Sequence, residues 1–297
     1  MASSCSIKNL INRNKTPMSK AEVKDKPANT LRFLVFGDVV GRPGREALNF
    51  AMPKLREEFR PDGVIVNIEN IAHGSGFSPE TWIVAQKWGA NAYTLGDHAW
   101  DNEASIPLLE NKKLPIVRPA NYPGQVPGSG YHVFTLGAFE VAVINLQGQV
   151  FFKNHPKNPF HALDELLVLP DIKRANIVLI DFHAEATSEA RGFGWYADGR
   201  VSAVWGSHTH VPTADEQILP DGTGYITDVG MVGNHNSIIG ADKAGPLKTF
   251  LNQTKERFTY LDEGAYEIGA LLLDIDPQTG RTSHIAQIRK ILNDTER

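Results

Sequence analysis

The strongest constraint on this chain is the way its apolar runs end. Leu31–Gly37 (LRFLVFG) stops at Asp38, Gly63–Ile68 (GVIVNI) at Glu69 and Asn70, and Ala92–Gly96 (AYTLG) at Asp97 and His98. Ile177–Asp181 (IVLID) is followed by His183, and Val201–Gly206 (VSAVWG) by His208 and His210. Each run is short and apolar, the signature of a strand buried on both faces. Open α/β sheets gather their functional residues at the carboxyl ends of strands. Residues spread from 38 to 210 are therefore expected to converge in space.

The segments between these runs support an α/β arrangement. Arg45–Arg60 places Leu48, Met52, Leu55 and Phe59 on one helical face, with Pro53 expected to kink or split the helix. Pro79–Trp88 reads as a second helix ended by Gly89. Strand, helix, strand, helix, strand predicts parallel pairing. Tyr131–Leu136 and Phe139–Leu146 around Gly137-Ala138 predict an antiparallel hairpin. Tyr225–Val229, Glu267–Ile275 and His284–Leu292 read as further strands, the last two joined by a turn at Asp276–Gly280. No linker divides residues 31–297, which are expected to form one domain, a sheet-rich sandwich with helices outside. Residues 1–30 lack hydrophobic periodicity and read as a disordered leader.

Composition narrows the chemistry. Cys5 is the single cysteine among 297 residues, so a disulfide framework and a thiolate zinc site within the chain are excluded. The leader carries six Lys/Arg against two acids, which leaves about −8 on residues 31–297 of a chain whose net charge is −4. A body this acidic is not built for strong direct nucleic-acid binding, which needs clustered Lys and Arg. No apolar run reaches the ~20 residues of a membrane span, and residues 1–30 contain no secretory core, so a cytoplasmic location is expected. Gly37–Gly44 (GDVVGRPG) lacks the Lys-Ser/Thr of a P-loop and does not fit GxGxxG.

The donors at the strand ends are three imidazoles and three or four oxygen ligands, more than one ion needs. They suit a pair of ions about 3.5–4 Å apart with a shared carboxylate. Glu69 and Asp38 are the candidate bridges. Nitrogen and oxygen donors without thiolate favour Mn, Fe, Zn or Co over Mg or Ca. Asp181 and Glu185 flank His183, and either is placed to orient a ligating imidazole. His73, beside Gly74 and Gly76, is the one remaining histidine expected to line a pocket. A dinuclear amidohydrolase is disfavoured, because neither a strand-end Lys nor the repeat of a (β/α)₈ barrel is present.

GDVVGRPGR, NIENIAHGSG, LGDHAWD, RPANYP, INLQG, DFHAEATSE and GSHTHVPTAD, in this order, resemble the calcineurin-like metallophosphoesterase superfamily. More narrowly they are similar to its YmdB-like bacterial branch of cyclic-nucleotide phosphodiesterases, over about residues 31 to 293. The resemblance implies a four-layer α/β/β/α sandwich of two mixed sheets and a dinuclear centre. It implies Asp38, Asn70 and His210 on one ion, Asp97, His183 and His208 on the other, and Glu69 between them. It further implies metal-hydroxide attack on 2′,3′-cyclic nucleotides, with His98 as proton donor and iron or manganese as the metal. One position departs from the family pattern: the usual Gly-Asn-His reads Gly96-Asp97-His98. Asp97 puts an anionic ligand where a neutral one is usual, which lowers the net Lewis acidity of the ion it binds. The alternative is therefore a metal-binding regulatory protein of RNA metabolism, with protein partners and weak or no turnover. Self-association is left open.

Overall fold

The computed structural model describes residues 25–261 and 263–293. β1 (Leu31–Val39) leads into α1 (Gly41–Phe59), β2 (Gly63–Asn67), α2 (Pro79–Gln86) and β3 (Ala92–Thr94). A 3-10 turn (Glu103–Ser105) and α3 (Ile106–Glu110) precede β4 (Ile116–Val117) and the hairpin β5 (Tyr131–Leu136) and β6 (Phe139–Gln147). Then come α4 (Pro159–Leu167), α5 (Pro170–Arg174), β7 (Ile177–His183), α6 (Thr187–Ala197) and β8 (Ala203–Ser207). β9 (Gln217–Ile218), β10 (Gly224–Ile226), β11 (Met231–Asn234), α7 (Ala244–Asn252), β12 (Tyr266–Ile275) and β13 (Thr282–Leu292) follow.

These strands make two mixed sheets. One has seven strands in the order β13-β12-β11-β1-β2-β3-β4, the other six in the order β5-β6-β7-β8-β10-β9. In the first, β11, β1, β2, β3 and β4 run parallel. In the second, β6, β7, β8 and β10 do.

Alternation along each strand sorts the side chains into layers. Leu34, Phe36, Val64 and Val66 pack under Leu48, Met52, Leu55 and Phe59 of α1 and Trp82 of α2. Their alternates Phe33, Val35 and Ile65 meet Val143, Leu179 and Trp205 of the other sheet. On the far side Ile144, Val178 and Ile180 pack with Leu163, Ile172 and Phe193 of α4, α5 and α6. Three successive apolar layers, each burying one face of an element, make the α/β/β/α sandwich. A buried ion pair adds to it: Arg32 Nε and Nη2 donate to Asp274 at 2.7 and 2.8 Å, joining β1 to β12.

Some expectations need correction. Helix α1 runs unbroken through Pro53 and begins at Gly41, earlier than its apolar pattern. Proline removes one backbone bond, at a cost of about 3 kcal/mol or more. The row of Leu48, Met52, Leu55 and Phe59 buried against the sheet outweighs that loss. The last predicted strand of the middle segment ends at Ile226, not Val229, so Asp228 lies beyond it. Residues 1–24 of the expected leader lie outside the described residues. Residues 25–30 are described, and there Lys26 Nζ contacts Asp62 Oδ2 at 2.5 Å while Thr30 donates to Pro27 O at 2.8 Å. Among the described residues no helix is long and apolar enough to cross a membrane.

Candidate metal centre

The carboxyl ends of the parallel strands from both sheets point the same way, and their last residues meet. Asp38 closes β1. Strict alternation would turn it toward the helices with Leu34 and Phe36, but the β1–β2 register shifts between Phe36 and Asp38. Such a bulge re-aims a side chain, and Asp38 Oδ2 accepts from His208 N of the other sheet at 3.1 Å. Glu69 and Asn70 lie on the loop after β2, and Asp97 and His98 on the loop after β3. His183 ends β7. β8 stops at Ser207, and His208 and His210 then take positive φ values of 104° and 62°. The turned backbone sends the two rings to different parts of the cluster. Gly96 leaves room for it: a Cβ there would fall 2.1 Å from Glu69 Oε2 and 2.3 Å from His183 Nε2.

Each imidazole has one nitrogen held by an oxygen outside the cluster. Ser207 Oγ donates to Asp181 Oδ1 at 2.6 Å, so it accepts from His183 Nδ1 at 2.9 Å. His210 Nδ1 donates to Ile239 O at 2.8 Å. His208 Nε2 lies 3.0 Å from Glu185 Oε2. These partners choose the tautomer and aim the other nitrogen inward.

The inward atoms are nearly all acceptors. His183 Nε2 faces Glu69 Oε1 at 3.0 Å, Asp97 Oδ1 at 3.1 Å and His208 Nδ1 at 3.0 Å. His208 Nδ1 lies 3.5 Å from Asp97 Oδ1. His210 Nε2 faces Asn70 Oδ1 at 3.2 Å and Asp38 Oδ1 at 4.0 Å. Glu69 Oε1 and Asp38 Oδ1 are buried and complete no hydrogen bond among the described residues. Facing lone pairs repel unless a cation lies between them. Donors bound at ~2.0–2.2 Å to one ion stand about 3 Å apart, as these do. Glu69, Asp97, His183 and His208 bring donor atoms within 4.8 Å of one another, a group able to hold a metal ion.

Electrostatics agree with this balance. Burial opposes charge on His183, but the carboxylates of Glu69 and Asp97 outweigh it and drive its pKa well above the usual value. Burial would raise Asp97, yet His183 and the neighbouring His98 and His208 hold it well below the usual carboxylate range. Asp38 is pushed up to about 7, chiefly by burial, with Glu69 and Asp181 adding to the shift. Burial and the adjacent His183 bring His208 down to about 4, and burial lowers His210.

His98 stands at the edge. Its Nδ1 donates to Asp101 Oδ2 at 2.7 Å, and Ser75 Oγ donates to the same oxygen at 2.5 Å. Burial lowers the His98 pKa, but Glu69, Asp97 and Asp101 together raise it above the usual value. Its Nε2 points free of that pair, 3.9 Å from Asp97 Oδ2.

The remaining candidates divide. Asp181 is fully buried and touches His183 only through Ser207, while its other oxygen accepts from Asn67 Nδ2 at 3.1 Å and from the Thr94 hydroxyl. Glu185 serves His208 rather than His183. His73 is exposed with a positive φ of 53°, and no hydrogen bond or ion pair among the described residues joins it to the cluster. Asp228 was not anticipated. It is buried, accepts from Thr209 N at 3.0 Å, Thr209 Oγ1 at 2.8 Å and Gly230 N at 2.7 Å, and so shapes the turn that carries His208 and His210. The signal was present: Asp228 follows β10 as the other acids follow their strands.

Two mixed sheets packed face to face, with carboxylates from one and imidazoles from the other meeting at their shared end, make this a metallophosphoesterase by fold and site. A family model described as YmdB-like protein matches residues 34–288, and the chain belongs to the YmdB-like family. It is 43% identical over 264 residues to a 2′,3′-cyclic-nucleotide 2′-phosphodiesterase of Bacillus subtilis, covering 89% of this chain and 98% of that one. Among solved structures, a novel phosphatase from Mycoplasma pneumoniae superposes with a TM-score of 0.83 at 33% identity, covering 90% of this chain and 95% of that one. A hypothetical protein from Thermus thermophilus gives 0.81 at 38% identity, covering 88% and 100%.

Proposed function

We propose that this chain is a dinuclear metal-dependent phosphodiesterase that hydrolyses 2′,3′-cyclic nucleotides. The observation that carries the reading is the set of inward-facing lone pairs at 3.0–3.5 Å on Glu69, Asp97, His183 and His208. The similarity to the Bacillus subtilis enzyme supplies the substrate class. Asp97, His183 and His208 would hold one ion and Asp38, Asn70 and His210 the other, with Glu69 available to both sets. The donor set suits iron or manganese, with zinc also compatible. Bound ions supply Lewis acidity, activating water near neutral pH and offsetting charge on the phosphoryl group.

The chain's own residues do the rest. Ser207, Glu185 and the Ile239 carbonyl hold the three rings in the binding tautomer. His98 keeps a proton at Nε2, because Asp101 and the cluster's carboxylates stabilise its charged form. It delivers that proton to the leaving alkoxide, a role worth about 10²–10⁴ in rate. Asp101 and Ser75 fix the ring for the transfer.

Asp97 favours a second reading, a metal-dependent regulatory protein, because it adds negative charge where two other carboxylates already converge. Metal content and turnover of 2′,3′-cyclic AMP and a generic phosphodiester, with Mn²⁺ or Fe²⁺, separate the two. Full occupancy with no turnover selects the regulatory protein. A rate gain in Asp97→Asn marks an enzyme whose ligand set is weakened.

A further inference from the structure

Two segments approach the centre without a part in the reading above: residues 118–123 (RPANYP) and 144–148 (INLQG). They are tied together. Asn121 Nδ2 donates to Gln147 O at 2.7 Å, and Gln147 N donates to Asn121 Oδ1 at 3.0 Å. Gln147 ends β6 directly opposite His183 on β7. Residues paired on neighbouring strands project from the same face. Val141, Val143, Ile177 and Leu179 fix that face as the one between the sheets. The Gln147 side chain therefore stands beside the His183 imidazole.

Gln147 is fully buried, and neither Nε2 nor Oε1 completes a hydrogen bond among the described residues. Asn145, two residues earlier in the same row, differs: its Nδ2 donates to Asp181 O at 3.2 Å. A buried amide without partners is costly, and an apolar residue of the same length would avoid the cost. Tyr122 lies next to Asn121, its ring 4.6 Å from that of Trp100. Its hydroxyl accepts a long bond of 3.4 Å from Asn154 Nδ2. Burial raises its pKa, with Asp97 adding to the shift and Asn154, the Gln147 amide and His183 opposing it, and the Gln147 amide completes no hydrogen bond among the described residues. Phe152 closes this side, its ring 4.7 Å from that of His208.

We propose that Gln147 and Tyr122 are substrate contacts, the Gln147 amide N–H and the Tyr122 O–H donating to the non-bridging oxygens of the phosphoryl group at the centre. Those oxygens only accept, and both side chains offer donors. Both are neutral, so they bind an anion without altering the charge of the cluster. This rests on the reading of the centre as a phosphodiesterase site.

The test compares metal-loaded full-length wild type with Gln147→Met, Gln147→Glu and Tyr122→Phe. It reads KM for 2′,3′-cyclic AMP, calorimetric affinity for inorganic phosphate, metal content and Tm. For Gln147→Met the expected result is unchanged metal content, an equal or higher Tm, and KM and phosphate Kd raised about tenfold. Gln147→Glu places an anion against the phosphate and weakens it further, and Tyr122→Phe weakens it less than Gln147→Met. Failure of the wild type to turn over any cyclic nucleotide overturns the proposed substrate, while phosphate affinity still decides the contacts. Equal phosphate affinity in wild type and the Gln147 variants, or no phosphate binding by the metal-loaded wild type, overturns the proposal. A lower Tm in Gln147→Met with unaltered phosphate affinity makes the amide structural and overturns it as well.

Discussion

The two sheets contribute different chemistry to one centre. The seven-stranded sheet supplies oxygen: Asp38 lies near the end of β1, and Glu69, Asn70 and Asp97 follow β2 and β3. The six-stranded sheet supplies nitrogen: His183, His208 and His210 follow β7 and β8. The supporting groups divide too. Each imidazole is steadied from outside the cluster, by Ser207, Glu185 or the Ile239 carbonyl. Asp38 and Glu69 instead each keep one oxygen that completes no hydrogen bond among the described residues. Neither sheet by itself has a mixed donor set, so the centre exists only when the inter-sheet core of Phe33, Val35, Leu179 and Trp205 has packed. Metal binding at this centre would therefore be coupled to folding.

Removing a nitrogen donor should separate the sheets' roles most clearly. His183→Ala is expected to lose metal and all measurable turnover, beyond the 10–100-fold typical of an outer partner. Metal analysis beside an activity assay checks it, and retained stoichiometric metal would break the division drawn above. His98→Ala should keep the metal and lose about 10²–10⁴ in kcat. An undiminished kcat would remove His98 from the chemistry. The buried ion pair distant from the centre is a control: Asp274→Ala leaves Arg32 without its bidentate partner and should cost about 3–5 kcal/mol of stability, read by denaturant melts, without altering kcat. Ser207→Ala frees His183 Nδ1 and should lower metal affinity about 10–100-fold. Glu185→Gln, at an exposed carboxylate, should do less.

The smallest effect concerns pH. Burial, with Asp38 nearby, pushes Asp228 up to about 7. The unfolded carboxyl titrates near ~3.9. Between these values the folded chain holds a proton that the unfolded chain does not, so stability falls as pH rises through this window. His208 and His210, held below the usual value, oppose this trend in any variant, so chelator-treated wild type should lose more Tm, or gain less, between pH 5 and pH 7 than Asp228→Asn. Equal changes of Tm in the two proteins would show Asp228 to be charged and supported.

Much of the candidate site was legible in the residues, because five apolar runs end at potential donors that the fold brings together. Asp228 escaped because Tyr225–Val229 looks continuous in sequence, although the strand stops at Ile226. Gln147 escaped because its significance lies in what it fails to contact. Glu185 pairs with His208, a choice that depends on where the turn after β8 sends that ring. His73 sits near Asn70 in sequence but its exposed side chain joins nothing in the cluster. The short helices α3 to α6 were not read either, since five to eleven residues carry too little periodic signal.

By itself the sequence determined the alternation of buried strands and the types of donor at their ends, because both are local properties of a short stretch of chain. The tertiary structure decided which donors face each other. The bulge before Asp38, the positive φ at His208 and His210, and the Ser207, Glu185 and Ile239 contacts aim the donors. Those contacts join residues far apart in the chain, and the packing of one sheet on the other brings them together.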